Sequence, residues 1–353
     1  MFLSSLRGRL AAASAPALVC ALLLGGCAIK IQTPVAPPTK ATLINDGKDG
    51  LLIPLHVERA DQDHARLGLP VQLDGKPVYL ALDTGTQGVR VLSSALPKSS
   101  YPGTGPTTTL NIANGAMVSG PTATLPFSLF DNQPINITAQ TVNQVRCQPT
   151  AKRCFAQDGF TGEFGWAFSG LLGVGAQASD DACCSAPLPS LPAQLGQRYL
   201  VHPNFSQPYL LLSPSTELSN RFTMTPFVRA TSGAAQWPGG CVQISDKMNF
   251  CAPVVFATGG TEMIRIETDI TPNWVDDDEV GKTLTQGNYD VALGVGTWRH
   301  RFNGAQVTVV KVPKGGNRIV IGLAALQNID LLFDFKNNQL GLWAKKDVED
   351  FGL

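Results

Sequence analysis

The sequence predicts an all-β fold built as two related lobes. Three observations carry that expectation. The 353 residues include 35 Gly and 25 Pro, with many β-branched residues and few long runs of strong helix formers, which is the composition of short strands joined by frequent turns. Residues 71–86 read as two strands around an Asp74-Gly75 turn. A second strand ending in the same X-Thr-Gly frame recurs 174 residues later, about one lobe away. Hydrophobic residues make up 44% of the chain and charged residues 15%, enough for a sizeable core and, by length, roughly two domains. Lys+Arg and Asp+Glu both count 27. The balance removes the broad basic field that non-specific nucleic-acid binding needs, so no nucleic-acid partner is expected.

The elements follow in chain order. Arg7 and Arg9 precede an apolar stretch from Leu10 to Leu24 that ends in Gly25, Gly26 and Cys27. A positive start, a short apolar run and small residues at the cut describe an export signal over residues 1–26; a membrane span would need about 20 apolar residues. Leu24 to Cys27 resembles the bacterial lipobox. The resemblance implies acylation of Cys27 and attachment to a membrane through that lipid. It also implies a cell-envelope location: with Ala28 and not Asp after the cysteine, an outer-membrane protein facing the periplasm or the cell surface is expected. Residues 27–46, with Pro34, Pro37 and Pro38, read as an extended tether.

Cysteine usage agrees with export. Beyond Cys20 and Cys27 six remain, Cys147, Cys154, Cys183, Cys184, Cys241 and Cys251, an even number that suggests three disulfides in an oxidising compartment. Cys241 and Cys251 bracket a hairpin and are expected to pair. Cys147 and Cys154 close a short loop and are candidates to pair, with adjacent Cys183 and Cys184 as the competing partners for both. A zinc site is the weaker reading, because no Cys-x-x-Cys occurs and His56, His64, His202 and His300 are scattered.

The chemistry-bearing element is the strand that runs into Asp83-Thr84-Gly85-Thr86. Glycine allows a tight turn that brings backbone N–H groups to a carboxylate, and flanking hydroxyls can bond and orient it. By itself such a tripeptide is a common strand end. Its recurrence gives it weight: residues 252–266 repeat the frame with Ala257-Thr258-Gly259-Gly260, then return into another apolar strand. Each copy is followed by an apolar pair and glycine, Leu171-Leu172-Gly173 after the first and Val320-Ile321-Gly322 after the second.

This ordered set resembles the pepsin-like aspartic proteases. The resemblance spans residues 71–343, closing with Asp330 to Asp334 and Gly341 to Trp343, and residues 190–210 are similar to the plant nepenthesin-type branch. It implies a bilobal acid-protease fold with a central cleft, an N-terminal lobe over residues 47–203 and a C-terminal lobe over residues 204–353. It also implies a dyad of two aspartates that share one proton, the general example of carboxylates whose pKa values are pushed apart. Asp83 matches the first aspartate, and Ala257 stands where the second belongs. Alanine cannot move or orient a proton, and losing one member of a catalytic unit costs about as much as losing all. Thr86 keeps a hydroxyl beside Asp83 where Gly260 has none beside Ala257, which favours a native loss of the second half-site over an engineered change. Thr84 and Thr258 remain, and in the family they hydrogen-bond across the lobe interface. Residues 110–120 match the family's flap hairpin, with Asn114, Gly115 and Met117 near its tip, and carry no tyrosine.

Other chemistry is thin. No Gly-x-Ser-x-Gly, His-Glu-x-x-His or phosphate loop occurs, and no cofactor or metal is expected. The run Asp276 to Glu279 lacks the spacing of a calcium loop and reads as a solvated loop. Glu58, Asp61, Asp63 and His64 read as a polar strand edge and turn, and Trp166 and Phe168 as cleft or core aromatics. The expectation is a non-proteolytic binder of a peptide or protein in the cleft. An active aspartic endopeptidase and a structural envelope component are the alternatives.

Overall fold

The computed structural model describes residues 44–45, 50–59, 65–97, 103, 105–112, 115–130, 133–148, 154, 164, 167–176, 183–260, 262–275 and 277–345. The predicted signal segment, Cys27 and most of the tether lie outside them, as do Asp61, Asp63, His64, Asn114, Trp166 and Asp276.

The described residues are almost entirely strands and turns. The first half contains β1 (Ile44–Asn45), β2 (Leu51–Pro54), β3 (His56–Arg59), β4 (Ala65–Leu73), β5 (Lys76–Asp83), β6 (Gln87–Leu92), β7 (Thr107–Asn111), β8 (Ala116–Ser128), β9 (Ile135–Val142), β10 (Gln144–Cys147), β11 (Gly170–Val174), β12 (Arg198–His202) and β13 (Tyr209–Leu212). The second contains β14 (Thr223–Pro226), β15 (Val228–Arg229), β16 (Ala235–Gln236), β17 (Gly239–Ile244), β18 (Met248–Ala257), β19 (Ile264–Thr268), β20 (Thr283–Val295), β21 (Trp298–Lys311), β22 (Arg318–Gly322), β23 (Ile329–Asp334) and β24 (Gln339–Ala344). A one-turn helix, α1 (Thr216–Ser219), joins the halves, and the Ser215 side chain caps it by accepting from Leu218 N at 3.1 Å.

The strands that carry the two tripeptides belong to two six-strand circuits with corresponding pairing. In the first half six strands close on themselves in the order β4-β5-β11-β6-β9-β8, with β8 returning to β4. In the second the closed order is β17-β18-β22-β19-β21-β20. Every step corresponds, including its sense. β5–β11 and β18–β22 are parallel, as are β6–β9 and β19–β21. The remaining four steps of each circuit are antiparallel.

Local chemistry explains the pieces. The β4–β5 hairpin turns at Asp74 and Gly75, whose φ values of 52° and 70° are those of a type I′ turn, the form whose twist matches flanking strands. The strands with a parallel neighbour at the centre are continuous apolar runs buried on both faces: β11 is buried throughout and β5 from Val78 onward. Cys241 and Cys251 are directly opposed in the β17–β18 register and form a disulfide, as expected for a hairpin pair. Cys147 bonds Cys154, and Cys183 bonds its neighbour Cys184. The competing assignment, in which Cys183 and Cys184 capture Cys147 and Cys154, is therefore corrected.

A third sheet takes strands from both halves, in the order β1-β2-β13-β12-β23-β24-β14. Its middle is the antiparallel pair β12–β23, with Tyr199 opposite Phe333 and Leu200 opposite Leu332. The two hairpins β12–β13 and β23–β24 each follow one closed circuit, and β2 and β14 each precede one. The division expected between residues 203 and 204 falls in the turn of the first of these hairpins. His202 and Asp330, both buried, bond at 2.5 Å across this sheet. A stack of Tyr199, Phe227, Phe333 and Phe335, with ring centroids 5.1 to 6.3 Å apart, fills the space beneath it.

Candidate functional site

Asp83 and Ala257 occupy matching ends of matching strands. Asp83 is the last residue of β5 and sits opposite Gly173 of the parallel strand β11; Ala257 is the last residue of β18 and sits opposite Gly322 of β22. Those two glycines are required by close approach. A Cβ on Gly173 would stand 2.8 Å from the Thr86 hydroxyl oxygen, and one on Gly322 would stand 1.8 Å from the Glu262 carbonyl oxygen, separations that real side chains do not adopt.

Beyond the strands, the two turns lock into each other. Thr84 N donates to Thr258 Oγ1 at 3.0 Å, and Thr258 N donates to Thr84 Oγ1 at 3.0 Å. The hydroxyls then donate onward, Thr84 Oγ1 to the Phe256 carbonyl at 2.5 Å and Thr258 Oγ1 to the Leu82 carbonyl at 2.9 Å. Both threonines are buried, so each hydroxyl acts as donor and acceptor at once with nothing left unsatisfied.

The carboxylate of Asp83, 4% exposed, is held from both halves. Its Oδ1 accepts from Gly85 N at 2.8 Å and from Gly259 N at 3.0 Å; its Oδ2 accepts from Thr86 Oγ1 at 3.0 Å. Gly85 N is the donor two residues downstream of Asp83. Gly259 N has the same offset from residue 257, where an alanine methyl offers it no acceptor. One carboxylate thus collects the donors of both half-sites. Contact is tight on each side: a Cβ on Gly259 would stand 2.5 Å from Asp83 Cγ, and one on Gly85 would stand 2.6 Å from Ala257 Cβ.

A residue missed by sequence reading completes the arrangement. Arg66, on β4 and 1% exposed, donates from Nη2 to the Gly259 carbonyl at 3.1 Å. Burial lowers its pKa to about 10, and the charge of Asp83 acts in the opposite direction. The peptide at Gly259 is therefore gripped by the first half at both polar atoms, its N–H by Asp83 and its C=O by Arg66. The only signal in the sequence was one arginine inside an apolar strand, which reads as a bend or an edge unless its partner is known. No second carboxylate hydrogen-bonds to Asp83 among the described residues.

The hairpin expected over the site is β7–β8, with Leu110 opposite Val118 and Asn111 opposite Met117. Its turn includes Gly115 at φ 83°, a conformation that favours glycine. The structure adds a third strand to it. β10 pairs with β8 and places Cys147 opposite Ala116. Gln148 then fills the turn, donating from Nε2 to the Ile112 and Ala116 carbonyls at 2.8 and 3.0 Å and from its backbone N to the Gly115 carbonyl at 2.8 Å. Asn111 and Gln148 face second-half residues, including Trp237, Val255, Lys311 and Arg318, across a cleft of about 880 Å³.

The remaining sequence candidates are placed as follows. Phe168 is buried and stacks on Tyr79 with centroids 5.0 Å apart, a core role. Glu58 accepts from the Tyr79 hydroxyl at 2.8 Å. In the acidic run, Asp277 and Glu279 pair with Lys282, and Asp278 with Lys311. Among the described residues no three His, Cys, Asp or Glu side chains gather as a metal site.

The sequence matches no protein-family model, and no curated protein matches it.

Proposed function

We propose that this chain is a pepsin-like, bilobal protein whose catalytic dyad has been reduced to one carboxylate, and that it captures an extended peptide or protein segment without cutting it. The observation that carries the reading is the half-occupied site. Asp83 takes the glycine donors of both halves, while the position matching it holds the methyl of Ala257 packed on Gly85. Peptide hydrolysis by a dyad needs one carboxylate to activate water and another group to protonate the carbonyl or the leaving amine. Among the described residues one carboxylate, that of Asp83, sits at the Asp83–Ala257 junction, and its hydrogen bonds serve the contact between the halves.

The fold part of the proposal rests on the two corresponding six-strand circuits, the shared sheet between them and the reciprocal threonine bonds at their junction. The binding part rests on the cleft between the stapled hairpin and the second half. Such a cleft, with strand backbone at its edge and apolar patches at Val255 and Trp237, suits a chain in extended conformation, where main-chain hydrogen bonds give affinity and alternate side chains give selectivity. The N-terminal pattern ending at Cys27 supports the part of the proposal that makes the chain a lipid-anchored protein of the bacterial envelope.

Incubating the purified full chain with a diverse peptide library near neutral pH, then identifying retained peptides by mass spectrometry, tests the reading. Intact retained peptides support it. Retained or released peptides with new termini that depend on Asp83 make the chain a peptidase, and no retention at all favours a structural component.

A further inference from the structure

A second groove lies on the outer face of the C-terminal circuit, away from the β5–β18 junction. It encloses about 1140 Å³ and is lined by β17, β18, β20 and β21. Its floor is made of small residues, among them Gly240, Cys241, Ala292 and Gly294. Glycine is dictated at one of these points, where a Cβ on Gly240 would stand 2.5 Å from the Gly294 carbonyl oxygen; at Gly294 the Arg299 side chain lies across the backbone, its Nε 3.1 Å from where a Cβ would stand. The Cys241–Cys251 disulfide fixes the hairpin that forms one wall.

The charged side chains lining this groove are Arg299 and Arg301; no Asp or Glu lines it among the described residues. Both arginines are exposed and point to the same face of β21. Arg299 is pre-set, with Nη1 donating to the Gly296 and Trp298 carbonyls at 2.6 and 2.7 Å; its other N–H groups stay available. Asp290, further along β20, is engaged by Gly304 N at 2.9 Å and lies outside the lining.

We infer that this groove is a docking site for an acidic protein segment in extended conformation, one that presents carboxylates at alternate residues. The spacing argues for it. Two residues along a strand span about 6.8 Å, so Arg299 and Arg301 match carboxylates at i and i+2 of a peptide lying along β21. Beyond Gly294, which the Arg299 side chain covers, a floor of Gly240, Ala292 and the disulfide lets that peptide's backbone approach closely. Arginine favours carboxylate because its planar fork bonds it bidentately. Nucleic acid is disfavoured, since among the described residues no Trp, Tyr or Phe lines the groove to stack a base.

The test is fluorescence anisotropy with two end-capped, labelled octapeptides of four Glu and four Thr. One alternates the two residues, and the other sets Glu in adjacent pairs separated by two Thr, so that no two Glu lie at i and i+2. The full chain is expected to bind the alternating peptide at least threefold more tightly, and Arg299→Glu/Arg301→Glu to weaken that binding tenfold or more with an unchanged melting temperature. Equal affinity for the two peptides, no binding of either, or indifference to the double substitution overturns the proposal. Residues 347–349, Asp-Val-Glu, carry the same alternation. If binding appears only after residues 346–353 are deleted, the groove's occupant is the chain's own segment and the assignment to a partner fails.

Discussion

Asp83 and Gly259 belong to opposite halves of the molecule and are joined by a hydrogen bond of 3.0 Å from the glycine N–H to the carboxylate. The same glycine's carbonyl accepts from Arg66 at 3.1 Å. The two six-strand circuits correspond in pairing, and this grip is a point at which the halves differ: the first supplies a buried carboxylate and a buried guanidinium, and at Gly259 the second supplies backbone.

Asp83 is expected to act as a stability residue. Asp83→Ala strands the N–H groups of Gly85 and Gly259 and the Thr86 hydroxyl, and removes the carboxylate charge that acts on Arg66. A buried donor left without its acceptor costs about 1–3 kcal/mol. Urea denaturation is expected to show a loss of that size, whereas a catalytic residue at a strained site is often neutral or stabilising when removed. Arg66→Met combined with Asp83→Ala should recover part of the loss, a coupling that a double-mutant cycle reads directly.

Thr84→Val and Thr258→Val each remove two side-chain hydrogen bonds and leave a buried N–H without its acceptor. Each is expected to cost about 1–3 kcal/mol. The two hydroxyls share no hydrogen bond, so the double variant loses all four. A loss below about 0.5 kcal/mol for either single variant in equilibrium unfolding would contradict the reciprocal geometry.

Ala257→Asp together with Gly260→Thr rebuilds the second half-site. The hydroxyl side chain has room, since a Cβ on Gly260 would meet nothing closer than 3.5 Å. Two carboxylates in one site share a proton, so one of the pair titrates well above its unfolded value of about 3.9. A raised carboxyl binds more protons folded than unfolded. Stability relative to the natural chain should therefore be greatest below about pH 4 and fall as pH rises through the raised value. Melting temperatures of both proteins from pH 3 to 7 check the sign.

The loop around residues 269–282 has the opposite pH dependence. Asp269, Asp277 and Asp278 are held below the ordinary carboxylate value, the first by the Gly315 N–H, the second by the Glu279 N–H and the third by Lys311. Groups of this kind stabilise the fold above the unfolded value and lose that contribution as pH falls through the lowered one. The protection of Gly315 N, bonded to Asp269 Oδ2 at 2.8 Å, measured against the intrinsic exchange rate at each pH, should persist at pH 4 and fall only as the pH drops further.

Much of this was legible in the sequence, and the reasons differ by element. The β4–β5 hairpin announced itself through Asp74-Gly75, because local turn chemistry fixes it. The two tripeptide strands and the following glycines Gly173 and Gly322 were visible as a spacing, because a repeated fold needs the same backbone approach twice. The pairing of Cys183 with Cys184 was not foreseen; adjacency in sequence does not say which way the chain runs past Gly88, where a Cβ would stand 2.2 Å from Cys184 Cβ. Arg66 and Gln148 were missed for a common reason. Each bonds backbone carbonyls distant in sequence, and no spacing rule encodes a carbonyl.

The most direct measurement is digestion of a peptide library by the natural chain between pH 3 and 6, with Asp83→Ala as control. The account predicts no cleavage above the control at any pH. Cleavage by the natural chain that disappears in Asp83→Ala would contradict it, since it would mean that Asp83 works with an acid other than the residue missing at position 257.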